Sequence, residues 1–113
     1  MPLTDLLKAA RDHFQANLKV VNSTFGNQPI YLQPARESLR AAFNNAVTAA
    51  FTSDLQPIVG SAGSVGERLG RLAVTHKQQQ PVITAVFPDA VDRDDVLKDA
   101  LFALQDAFEK VLA

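Results

Sequence analysis

Three long stretches of this chain repeat an apolar residue every three to four positions, a period that commits most of the chain to amphipathic helices. In the first, Leu3, Leu6, Leu7, Ala10, Phe14, Leu18, Val21 and Phe25 form one stripe, and Asp5, Lys8, Asp12, Gln15 and Lys19 fall away from it. Gly26, followed by Asn27, is placed to supply the left-handed residue that ends this helix. The second begins at Pro34, a residue suited to a helix's first turn, and carries Ala35, Leu39, Ala42, Phe43, Ala46, Val47, Ala50 and Phe51 at helical spacing. Ala41 and Ala49 lie on its other side, so this helix can pack closely against neighbours on more than one face. The last opens with Asp92, Asp94 and Asp95 at the positive end of its dipole, and Leu97, Leu101, Leu104, Phe108 and Leu112 are predicted to run down its core face. An Asp94 to Lys98 pair is expected one turn in, and Lys110 complements the negative end.

Two proline-bounded pieces lie between these helices, "QPIYLQP" at 28–34 and "QQQPVITAVFP" at 78–88. Both read as extended. In the second, Val82, Ile83, Thr84, Val86 and Phe87 are β-branched or aromatic, and Pro81 and Pro88 limit a strand's length. Period-two alternation sets Val82, Thr84 and Val86 on one side and Ile83, Ala85 and Phe87 on the other. The expected fold is therefore mainly α, a small three- to four-helix bundle with a short β element or ribbon, in a single helical domain over 1–113.

The loop "GSAGSVGERLG" at 60–70 has the glycines and serines of a phosphate cradle, but not its chemistry. A nucleotide-binding loop needs a lysine and then a hydroxyl after its last glycine, to meet the phosphates and magnesium; here Glu67 and Arg68 follow Gly66. Ser64 and Glu67 instead have the spacing of a capping box, which starts a short helix with Val65, Leu69, Leu72 and Ala73 on its apolar side. Ser64 and Arg68 remain candidates for a weak anion site at that helix N-terminus. Arg36 and Arg40, one turn apart, are a second such candidate, and Glu37 beside them favours an ordinary surface network.

Composition narrows the function classes. Apolar residues make up 47% and charged residues 20%, which suits a folded globule. Eleven basic against twelve acidic side chains leave a net charge of −1, without the basic concentration of a nucleic-acid binder. There is no cysteine, so thiolate sites and disulfides are excluded. The run "DAVDRDDVLKD" lacks the alternating oxygen ligands and glycine of a calcium loop. His13 and His76 are far apart and belong to no metal-binding spacing. No cofactor, metal or catalytic residue is assigned, and the chain is expected not to be an enzyme. Charges within the first five residues and the lack of any long apolar run predict a soluble chain, cytoplasmic or within a particle, with no signal peptide or membrane span.

The runs "NSTFGNQPIYLQPARESLRAAF", "VFPD" and "VLKDALFALQDAF" resemble, in the same order, stretches of the coat proteins of rod-shaped plant RNA viruses. That resemblance implies a helical bundle that self-assembles; the family's arginine-bearing RNA-binding stretch has no counterpart here. The expected role is a non-catalytic assembly subunit of virion, phage neck or tail, or filament type, as a homo-oligomer or docked on a protein partner. A regulatory or chaperone-like adaptor is the alternative. Val82, Thr84, Val86, Ile30 and Tyr31 are the candidate interface residues, because an isolated strand must pair with something.

Overall fold

Burying the apolar stripes folds the chain into helices α1 (Leu3–Phe25), α2 (Pro29–Val59), α3 (Val65–Val86) and α4 (Ala90–Leu112). The structure, a computed structural model, describes residues 2–113. Short connections make sequential helices antiparallel, so α2 and α4, both antiparallel to α3, run parallel to each other. α1 and α2 form one layer and α3 and α4 the other; α2 packs on α4, and α1 more lightly on α3.

One apolar cluster joins all four helices. Leu7 comes from α1; Phe43, Val47, Ala50, Phe51 and Leu55 from α2; Leu72, Ile83 and Val86 from α3, with Phe87 just after it. α4 contributes Val96, Ala100, Ala103, Leu104, Ala107 and Val111. This differs from the expected α4 stripe: Leu101 and Leu112 are exposed, and Leu97 and Phe108 sit half-buried at the edge. The alanines turn inward because they let the α4 backbone approach α2, and the larger leucines fit at the margin where space remains.

No strand occurs among the described residues, and the expected β element is corrected to helix in both places. Pro29 occupies the first turn of α2, where a missing N–H costs nothing, so "PIYLQP" opens that helix five residues before Pro34. α3 runs through Pro81 to Val86. Helical spacing places Ile83, Val86 and Phe87 together in the core, a burial that alternation over 82–87 would split between two sides. Tertiary burial thus outweighs the β-branched propensity of the segment. Pro34, Pro57 and Pro81 are all exposed, and so are Ile30, Ser53 and Lys77, whose carbonyls lose their helical donor; water can serve those carbonyls.

Gly26 is also corrected: its φ of −55° is right-handed, and the one positive-φ glycine is Gly63, at 124° in the α2–α3 loop. The expected cap of α3 forms, and Asp89 supplies a second, unforeseen cap to α4. The Ser64 Oγ accepts from the Glu67 N–H at 3.1 Å, and the Asp89 carboxylate accepts from the Asp92 N–H at 3.1 Å. In the first, Glu67 Oε1 accepts from the Ser64 hydroxyl at 3.1 Å in place of the expected bond from the Ser64 backbone.

The molecule is long, 57 × 28 × 23 Å, with a radius of gyration of 16.4 Å against about 13 Å for a compact chain of this length. The reason is an arm. Leu7 is the one buried residue of α1, and burial in α2 starts only at Phe43, so the far half of α1 and the near half of α2 pair with little else. Phe25 meets Tyr31 there, ring centroids 5.9 Å apart. No helix among the described residues is long and apolar enough to cross a membrane.

Candidate interaction surface

The predicted site residues do not converge. Val86 lies in the core at 1% exposure and Val82 packs half-buried against that core; only Thr84 of that trio is exposed, with its hydroxyl spent on the Gln80 carbonyl at 3.1 Å. Val82, Thr84 and Val86 therefore form no common face, because the helix turns them 100° per residue rather than 180°. Ile30 and Tyr31 are exposed, at 75% and 56%, near the tip of the arm, well away from α3's end.

The anion-site candidates are engaged by protein groups. Arg68 Nη1 donates to the Val59 carbonyl at 3.1 Å, while Arg71 Nη2 donates to the Ala62 carbonyl at 2.6 Å and to Ser61 Oγ at 3.0 Å. These guanidiniums close the C-terminal end of α2 and hold the loop, where free carbonyls carry partial negative charge. Arg36 donates from Nε and Nη2 to Asn22 Oδ1, at 3.0 and 2.8 Å, and ties the two arm helices together. Glu37 accepts from Gln33 at 3.2 Å.

Arg40 is the clamp at the arm's base. Its guanidinium lies over Phe43 and Phe14, 4.7 and 5.2 Å from the ring centroids, and reaches Asp95 at 2.6 Å and Asp92 at 3.1 Å. Stacking and paired carboxylates are both properties of a planar cation. The acids at the start of α4 are thus drawn across to α2, and none of the ion pairs joins Asp94 to Lys98. One turn deeper, Asp99 is nine-tenths buried with Oδ2 unpartnered. Burial, and then the Asp95 charge, push its carboxyl up to about 6 against the opposing pull of Arg40 and Lys98. Among the described residues, no group of three or more His, Cys, Asp or Glu side chains is placed to hold a metal ion.

An uncharged surface covers the outer side of the α1–α2 layer. A crevice of about 270 Å³ runs between the two helices there, lined by Ala10, His13, Phe14, Leu39, Ala42, Phe43 and Ala46. Helical spacing extends this side through Asn17 and Val20 on α1 and through Tyr31, Ser38, Ala49 and Gln56 on α2. It carries no charged side chain. The charged residues of α2 are Arg36, Glu37, Arg40 and Asp54; Arg36, Glu37 and Arg40 line the opposite side with Leu18 and Asn22, while Asp54 faces Gln79 of α3 at 2.9 Å. Even the polar groups are locally engaged: the Asn17 amide donates to the His13 carbonyl at 2.9 Å. The opposite layer contrasts with it, because exposed Leu101 and Phe102 of α4 stand among Lys98, Asp106 and Lys110, the last two paired at 3.0 Å.

Sequence reasoning placed alanines on several faces of α2 but did not single out this side. The available signal was charge: no charged residue occurs in α2 between Arg40 and Asp54. No family model matches the chain, and comparison with curated proteins and with solved structures found no match. The runs that resemble rod-virus coat proteins transfer no residue role to this chain.

Proposed function

We propose that this protein is a non-catalytic assembly subunit, of virion, tail or filament type, that works by packing its helical faces against other protein. The observation that carries this is the uncharged outer side of the α1–α2 layer. In a chain with 20% charged residues, a two-helix surface of this length without one shows the depletion of charge that marks an interface core. Val20, 58% exposed, and the outer part of Tyr31, 56% exposed beside Phe25, add apolar area to that side.

Multi-angle light scattering of the full chain, followed by electron microscopy of the same sample, tests this reading. A mass well above the 12.2 kDa of one chain, in particles of defined shape, is expected at high concentration. A monomer at every concentration would move the protein to the adaptor class, with the α1–α2 crevice receiving a helix of another protein.

A further inference from the structure

We infer that the outer side of the α1–α2 layer is a two-fold, isologous interface whose occupant is the same surface of a second copy of this chain. The inference rests on the assembly reading above and adds to it the surface and the partner.

Charge is the first reason. A partner with charged groups at its contact would bury them against Ala10, Ala42, Ala46 and Ala49, where nothing can pair with them, at a cost of several kcal/mol per ion. The matching surface must therefore be uncharged. The outer α1–α2 side is itself such a surface, and the α3–α4 side, with Lys98, Asp106 and Lys110, is not. Self-complementarity is what a two-fold contact requires.

Area is the second. From Tyr31 to Gln56, α2 extends about 38 Å at 1.5 Å per residue, and α1 lies beside it for most of that length. Two helices side by side are about 18 Å across, so the layer presents about 700 Å² and a pair of copies would bury about 1,400 Å², within the range of stable specific interfaces.

Small side chains are the third. Ala42, Ala46 and Ala49 recur at three- and four-residue spacing, the i±4n and i±3n ridges that let two helices approach closely. The crevice beside them offers room for a side chain of the facing copy.

Sedimentation equilibrium of the full chain, from low micromolar to millimolar, tests the inference. The wild type is expected to reach a dimer of about 24 kDa, twice the chain mass. Ala42→Glu and Ala46→Glu, at exposed positions where Glu is a good helix former, should weaken that dimer at least about 100-fold while circular dichroism stays unchanged. Ala73→Glu, exposed on α3, should leave the dimer intact. If the wild type associates but the Ala42 and Ala46 variants keep its mass, this surface is wrong and the assembly reading stands. If the wild type is a monomer at millimolar concentration, both fail. Should Ala46→Glu unfold the chain, Ser38→Lys on the same side makes the same test.

Discussion

Asp99 shows how a single side chain can store a pH dependence. The residue is 8% exposed, its carboxyl has a buried oxygen without a partner and lies near the Asp95 charge, so folding favours the neutral acid. Because its pKa rises from 3.8 to about 6 on folding, the folded state holds this proton more tightly than the unfolded chain. The resulting stabilisation is complete below pH about 4 and is lost as pH climbs to about 6, a difference on the order of 2–3 kcal/mol. Asp99→Asn keeps the shape without the titration. Urea melts from pH 4 to 7 should show a decline for the wild type over that window and a flatter profile for the variant, with the variant the more stable at pH 7. Equal declines in both proteins would place the cause elsewhere.

At the scale of the element, α3 is where local preference and tertiary packing disagree most. As a helix it buries Val86 and exposes Thr84, two residues that an alternating strand puts on one side. Val86→Lys should therefore unfold the protein, because a lysine charge would enter the core, whereas Thr84→Lys should change stability by no more than about 0.5 kcal/mol. Similar losses from both would restore the strand. The N-terminal turns of α3 carry a second test. Nothing lies within 4 Å of a methyl group placed on Gly70, so Gly70→Ala should stabilise the helix by about 1 kcal/mol in thermal melts. Gly63→Ala should do the opposite, since its φ of 124° disfavours any side chain and a Cβ there would come within 3.0 Å of Arg71 Nη2.

For the whole molecule, the uneven spread of burial sets the dynamics. The core fills the half of the bundle where all four helices meet, while the arm, α1 beyond Phe14 and α2 before Phe43, holds itself together with Phe25–Tyr31 and Arg36–Asn22. Few buried contacts mean low local opening energies. Amide hydrogen exchange should be fastest in 18–25 and 29–36 and slowest in 47–55 and 96–107. Pairing of copies through α1–α2 would add a concentration dependence: protection along the outer side of α1 and α2 should rise with protein concentration, and amides that exchange by global unfolding should follow it. Uniform protection along α2 at low concentration would mean that the arm is as stable as the core.

The sequence alone determined that this is a mainly helical protein, where the α3 cap forms, and that acids gather at the start of α4. These follow from local rules, namely a 3.6-residue period, a serine three residues before a glutamate, and charge near a helix end. Tertiary structure decided what local rules could not. Prolines 29, 34 and 81 read as boundaries because each removes a donor, yet Pro29 fills the first turn of α2, and Pro34 and Pro81 sit within helices where the affected carbonyls can reach water. The leucine stripe of α4 gave way to an alanine stripe because closeness to α2, and not side-chain size, fixed which side turned inward. The uncharged surface emerged only when α1 and α2 lay side by side, since neither helix alone shows which of its sides the rest of the fold leaves uncovered.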